Sequence, residues 1–328
     1  MGDKRQVGDI LQEWGEPLED APLTEEIALD QRSIGKGSQS SGDLFYHTAE
    51  VGDTSSRQVL VCIALHGDEP CGIGAWWEVA AEIEHDPAIL EGGLRVVILH
   101  PDGRGRYLDG KDPNRIFTES AATDQLARDL YDEIDQSEFV IDVHCGRWCA
   151  PFVIVDDPVS ENDLTDASSW RAARTVGCAA VAEMDGEAGQ ELQNSLVAAA
   201  RRRGVGGITI ELPHQATPEL AFKILHNALV GANSLRTEAF DLGLGEVPAS
   251  PEYRRTVVFS TGTGYYRTVA TPGDWVNASK PFAEIRKING EFVDAIVFPA
   301  GYVIALDKNL GDPTMVGDQV GEIAALRG

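Results

Sequence analysis

Five short runs rich in Val, Ile and Leu, at 59–65, 94–99, 138–143, 151–155 and 207–212, are separated by longer segments whose apolar residues recur at helical spacing. Each run is too short for a typical helix and carries β-branched residues, so it reads as a buried strand. Helices are predicted at about 72–85, 121–135, 167–182 and 187–203, and a further one at 218–238. Strands alternating with helices pack as an α/β layer structure around a largely buried sheet. Residues 1 to about 45 are polar and punctuated by Gly and Ser, which fits a lead-in with a few edge strands. His226, inside the helix predicted at 218–238, reads as a packing residue.

The composition changes at 242–248, where Gly243, Gly245 and Pro248 mark a linker. Short β-like runs broken by turns follow, at 255–259, 264–267, 273–276, 281–285, 294–298 and 302–306. Gly273-Asp274-Trp275-Val276 and Gly317-Asp318-Gln319-Val320 look like two copies of one turn, as in a small pseudo-symmetric β-barrel. The expected organisation is therefore a catalytic α/β domain at 1–241 and a C-terminal all-β, barrel-like domain at 250–328. No lysine stands in a clear hairpin-tip attachment motif, so no covalently attached cofactor is expected. Tyr265, Tyr266 or Tyr302 could reach the active site from this domain, although ordinary barrel packing is the simpler reading.

Chemistry-bearing residues collect where the strands end. His66 and Glu69, in Leu65-His66-Gly67-Asp68-Glu69-Pro70, follow the first run, and a turn lets residues i and i+3 face one point. His144 closes the third run two residues after Asp142, which puts both side chains on one strand face. Two imidazoles and a carboxylate at the ends of neighbouring strands form the ligand set of a catalytic zinc site with an open position. Asp142 is suited to accept the second ring N–H of a ligand histidine. Asp112-Pro113-Asn114-Arg115, preceded by Arg104, Arg106 and Tyr107, offers guanidinium and amide donors for a carboxylate, or is a solvated surface loop. Glu211 closes the run 207–212 and reads as a general base beside an activated water or as a salt-bridge partner.

The ordered set His66-Gly67-Asp68-Glu69, Asn114-Arg115, Asp142-Val143-His144 and Thr209-Ile210-Glu211 resembles the succinylglutamate desuccinylase/aspartoacylase family, a branch of the zinc carboxypeptidase-like enzymes. The resemblance spans roughly the first three-quarters of the chain and implies a mixed sheet flanked by helices. It implies that His66, Glu69 and His144 are zinc ligands, one ion per chain, and that Glu211 is the catalytic carboxylate. It implies that Asn114 and Arg115 hold a substrate carboxylate, with Arg115 also stabilising charge in the reaction, and it matches Arg106 to a further family arginine. Arg201 stands ten residues before Glu211, where some members place another substrate-binding arginine, but Arg201-Arg202-Arg203 also fits a solvated helix end. Cys145 replaces the usual Ser or Thr after the second histidine, with Arg147 close behind, and Pro113 replaces an aliphatic residue. The implied activity is hydrolysis of an N-acyl amino acid amide. The alternatives are a zinc carboxypeptidase acting on short peptides and a non-catalytic binding protein that keeps the pocket.

Charge narrows the partners. The 27 Lys and Arg against 53 Asp and Glu give a net charge of −26 over 328 residues. Such a surplus opposes nucleic-acid binding, which depends on neutralising phosphates. Together with the scarcity of lysine it resembles proteins of salt-accumulating halophiles, an ordinary acidic cytoplasmic enzyme being the alternative. No apolar stretch approaches the roughly 20 residues of a membrane span, and the polar start Met1-Gly2-Asp3-Lys4-Arg5 is unlike a secretory signal, so a cytoplasmic location is expected. The five cysteines, Cys62, Cys71, Cys145, Cys149 and Cys178, are odd in number and fit reduced thiols. A small-molecule substrate is expected, with self-association into a homo-oligomer left open.

Overall fold

The computed structural model of the chain describes residues 28–34, 44–53, 58–99, 106, 111–118, 125–146, 148–156, 164–183, 193–245 and 247–326. Arg104, Tyr107, Arg147, the lead-in before residue 28 and the first residues of the helices predicted at 121–135 and 187–203 lie outside them.

The predicted runs become strands because their side chains are buried on both faces, as a central sheet with helices on both sides requires. In chain order they are β1 (Ala28–Ile34), β2 (Leu44–Gly52), β3 (Gln58–Ile63), helix α1 (Cys71–His85), β4 (Gly93–Ile98), α2 (Gln125–Asp135) and β5 (Phe139–Gly146). They continue as β6 (Trp148–Cys149), β7 (Phe152–Val155), α3 (Leu164–Val176), β8 (Ala179–Ala182), α4 (Leu196–Arg202), β9 (Gly206–Pro213) and α5 (Pro218–Gly231). All six residues of β3 and of β4 are buried. One sheet face packs on α1, α3 and α5 through Ile73, Trp76, Val79, Ala172, Ile224 and Leu225, and the other on α2 and α4 through Leu126, Leu130, Leu196 and Ala200.

Strands β4, β3, β5 and β9 run parallel in that spatial order. The chain leaves β3 for β4 on one side and later returns to β5 on the other. A crevice forms outside the carboxyl ends of strands at such a switch point, and ligands bind there in open α/β sheets.

The helix predicted at 167–182 is corrected. Helix α3 stops at Val176, Gly177 adopts the left-handed φ of +83°, and Ala179–Ala182 continues as β8 between β7 and β10. Gly177 is a helix stop of the usual kind, and the alanines after it are buried in the sheet despite their helical propensity. The helix predicted at 218–238 likewise ends at Gly231.

The C-terminal runs form β10 (Ala249–Phe259), β11 (Gly264–Thr268), β12 (Trp275–Asn277), β13 (Ala283–Arg286), β14 (Phe292–Ile296), β15 (Ala300–Leu306), β16 (Pro313–Thr314) and β17 (Gln319–Leu326). They surround their own core of Val258, Tyr266, Phe282, Ile285, Val303 and Ile323. Strands β14, β13, β11 and β16 make a separate four-stranded sheet, whereas β10, β17, β15 and β12 extend the main sheet to 13 strands. The join is made by β10, which pairs parallel to β8 at Ala249 with Ala180 and at Arg254 with Ala182. The two turns that look alike are built alike. Gly273 and Gly317 have φ of +97° and +89°, and Asp274 and Asp318 accept the backbone N–H of Thr271 (2.9 Å) and Met315 (3.0 Å). None of the described helices is long and apolar enough to cross a membrane.

Candidate metal centre

Strand β3 ends at Ile63, and Ala64 then takes a left-handed φ of 54°, unusual for a residue with a side chain, which turns the chain out of the sheet. A turn follows, closed by the Glu69 N–H donating to the His66 carbonyl at 3.1 Å. It brings His66 Nδ1 to 2.9 Å from Glu69 Oε1. The neighbouring β5 delivers His144, whose Nδ1 lies 2.8 Å from Glu69 Oε2 and 3.2 Å from His66 Nδ1. All three side chains are buried, and one donor atom from each falls within 4.8 Å of the others.

The far nitrogen of each ring meets its own carboxylate: His144 Nε2 is 2.9 Å from Asp142 Oδ2, and His66 Nε2 is 2.9 Å from Asp112 Oδ1. An Nε2–H donated to each carboxylate leaves both Nδ1 lone pairs facing each other and Glu69. Three electron-rich groups pressed together need protons or a cation between them. The pKa shifts express the same need. Burial pushes His66 and His144 down, yet Asp112 and Glu69 around His66, and Asp142 around His144, outweigh it and hold both above the ordinary imidazole value. Burial pushes Glu69 up, but the hydrogen bonds with His144 and His66 hold it far below the usual carboxylate range. Asp112, raised by burial, is brought to about 2 by its bond with His66.

The donor set fits zinc. Tetrahedral zinc with Zn–N bonds of about 2.0–2.1 Å sets its ligand atoms about 3.3 Å apart, close to the separation of the two Nδ1 atoms here. Carboxylates on the outer ring nitrogens are the usual supports of metal-ligating histidines.

Around this centre the expected residues take different places. Arg106 donates to Glu69 Oε1 at 2.8 Å and stands 3.7 Å from Asp112. Arg115, half-buried at the end of a 3-10 turn formed by Pro113–Arg115, donates to the Asn114 carbonyl at 2.7 Å and adds positive charge beside Asp112. Asn114 is buried and engaged within the protein. Its Oδ1 accepts the Leu196 N–H at 2.8 Å, and its Nδ2 lies 3.3 Å from Asp142 and 3.1 Å from His144 Nε2. Glu211 sits beside His144 in register across β5 and β9, half-buried. Burial raises it to about 7, His144 and Arg255 pulling down and Glu69 and Glu322 pushing up.

Arg201 does not join them. Helix α4 starts at the site, where Leu196 meets Asn114, and carries Arg201 away from it. Arg201 instead lines a small cavity with Asp156, Ser169 and Gly207, at the end of β9 opposite Glu211. Tyr266 lies in the C-terminal core and Tyr302 packs beside Phe152 and Cys149, while Tyr265 is exposed. The C-terminal strands instead bring Arg255 within electrostatic reach of Glu211. Glu322 holds Arg255 through two bonds of 2.7 and 2.8 Å. His226 is a packing residue, buried between Phe222 and Phe240.

Two contributors escape sequence reasoning. Asp112 was legible only as part of a loop motif, because its histidine partner is 46 positions away. Arg255 carries no motif at all.

Residues 55–239 match the family model described as the succinylglutamate desuccinylase/aspartoacylase catalytic domain. No curated protein sequence matches the chain. Among solved structures, the chain is similar to the product-bound ectoine utilization protein EutE (DoeB) from Ruegeria pomeroyi, with a TM-score of 0.68 and 18% identity over 92% of this chain and 99% of that one. An aspartoacylase family protein from Mesorhizobium loti gives a TM-score of 0.70 at 16% identity, covering 93% and 96%. A succinylglutamate desuccinylase/aspartoacylase from Rhodobacter sphaeroides gives 0.67 at 16% identity, covering 94% and 98%. At these identities the structures establish the fold alone.

Proposed function

Since the chain belongs to the succinylglutamate desuccinylase/aspartoacylase family, we propose that it is a zinc-dependent hydrolase that cleaves the amide bond of an N-acyl amino acid. The observation that carries this reading is the convergence of His66 Nδ1, His144 Nδ1 and Glu69 with both outer ring nitrogens held by carboxylates. His66, Glu69 and His144 would hold one zinc ion per chain. Bound zinc supplies Lewis acidity toward a carbonyl and lowers the pKa of water.

Glu211 is the general base in this reading. A carboxylate raised to about 7 accepts a proton from the attacking water and returns it to the departing nitrogen near neutral pH. The water oxygen bonds to the acyl carbon, the C–N bond breaks, and a carboxylic acid and a free amine result. Arg115 and Arg106 carry guanidinium groups suited to a substrate carboxylate and to negative charge developing on the acyl oxygen. Asn114 supports them from behind, tying the Asp142–His144 pair to the start of α4. The charge surplus favours a salt-rich setting, where self-repulsion is screened.

The test is amine release by zinc-reconstituted protein from N-succinylglutamate, N-acetylaspartate and N-acetylated diamino acids, with short peptides bearing a free C-terminus alongside. Turnover of one N-acyl amino acid class with little peptide cleavage is expected. Preferential peptide cleavage would make the chain a carboxypeptidase, and no turnover of any substrate would make it a binding protein.

A further inference from the structure

Two of the five cysteines flank the candidate ligands. Cys71 opens α1 two residues after Glu69, and Cys145 directly follows His144 in β5. The Cys71 N–H donates to Cys145 Sγ at 3.2 Å, and the Cys71 thiol itself lies 4.0 and 3.9 Å from the Pro213 and His214 carbonyl oxygens. Cys71 is partly open to solvent, whereas Cys145 is buried. The other three are buried, and the Cys149 thiol is engaged with the Leu212 carbonyl. A backbone nitrogen bonded to its neighbour's sulfur brings the two residues within the separation of about 7 Å that a disulfide can span.

From this contact we propose that Cys71 and Cys145 form a reversible disulfide on reaction with a peroxide, and that the bond disables the metal centre. The Cys71 sulfur attacks one peroxide oxygen, the O–O bond breaks, and one water leaves as Cys71 becomes a sulfenic acid. The Cys145 sulfur then attacks the Cys71 sulfur, the S–O bond breaks, and a second water leaves with the Cys145 thiol proton. The two thiols together lose two electrons, and hydrogen peroxide is reduced to two waters.

The consequence for the metal follows from lengths. Unbonded sulfurs stay well outside the roughly 2.05 Å of a disulfide, so forming the bond draws the Cys71 and Cys145 sulfurs together by about 1 Å or more. The Cys145 N–H donates to Glu69 Oε2 at 3.2 Å, and Glu69 is joined to Cys71 through Pro70 alone. The contraction is therefore transmitted to the Glu69 carboxylate from both sides, while zinc coordination tolerates displacements of about 0.2 Å. The effect on zinc rests on the deacylase reading; formation of the bond does not.

The experiment treats zinc-reconstituted protein with hydrogen peroxide, maps peptides without reduction and follows zinc release with a chromophoric chelator. A Cys71–Cys145 linked peptide is expected, with a loss of at least tenfold in zinc affinity that dithiothreitol restores. Cys71→Ser is expected to bind zinc as the parent does and to keep it after peroxide, and Cys145→Ser serves the same purpose should the first variant misfold. Absence of the linked peptide, retention of zinc in the linked protein, or equal zinc release from the serine variants would overturn the proposal. Protein that never takes up zinc would overturn the metal reading and the proposed consequence together, and the peptide map would then report separately on the bond.

Discussion

At the scale of single residues, the account turns on carboxylates that act through histidines. Asp112 holds His66 in the orientation that points Nδ1 at Glu69. Removing such an outer partner typically weakens metal binding by about 10–100-fold. Asp112→Ala is accordingly expected to raise the zinc Kd by roughly that factor in competition with a chelator, and an unchanged Kd would place the orienting force elsewhere. Glu211 has a different task in the proposed reaction, that of general base. Its folded pKa of about 7 lies above the ordinary carboxylate value, so it is protonated and inactive as a base at low pH and becomes competent as pH rises. A bound dication draws that value down, so the acidic limb of kcat/KM is expected at or below about pH 7. Glu211→Gln should keep zinc, lose about 10²–10⁴-fold in kcat, and flatten that limb. A variant with near-parental kcat would show that the base lies elsewhere.

At the scale of elements, the centre depends on how closely α1 lies against β3 and β5. Gly72 makes that approach possible, because a Cβ there would stand 2.8 Å from Val143 Cγ1 and 2.9 Å from Ile63 Cγ2. Gly72→Ala should destabilise the fold by about 1–3 kcal/mol, as overpacking does, and should weaken zinc binding by shifting Glu69. A thermal or urea midpoint equal to the parent's would contradict this. Elements are also where the sequence was most and least legible. His66, His144 and Glu211 stand out in the sequence because each closes an apolar run, and strand ends carry position information. Strand β8 was missed because Ala179–Ala182 has neither alternation nor β-branched bulk beyond Val181, although Gly177 before it was a readable stop. Arg201 was placed by counting along the chain to Glu211. A helix end and the opposite strand end can be ten residues apart in sequence and still face away from each other.

At the scale of the whole molecule, the C-terminal strands were legible one by one, but their joining to the main sheet was not. The pairing of β10 with β8 depends on which strand edges remain open after folding, which no local pattern records. The charge of −26 also belongs to this scale. Self-repulsion of that size destabilises the compact state, and salt screens it, since the Debye length falls from about 10 Å at 0.1 M to about 3 Å at 1 M. The melting temperature is expected to rise by roughly 5 °C or more between about 0.1 M and 2 M KCl, taking about 2–4 °C per kcal/mol for a chain of this order of size. A flat or falling Tm would show that the acidic surface carries little strain.

The expectations for zinc binding and turnover presuppose that His66, Glu69 and His144 hold a metal ion. The most direct test is zinc content by elemental analysis, on the parent chain and on His144→Ala prepared in parallel after reconstitution and desalting, with circular dichroism to confirm that both are folded. The account predicts one zinc per parent chain and essentially none in the variant. A parent without zinc, or a folded variant that retains it in full, would contradict the ligand assignment on which the function rests.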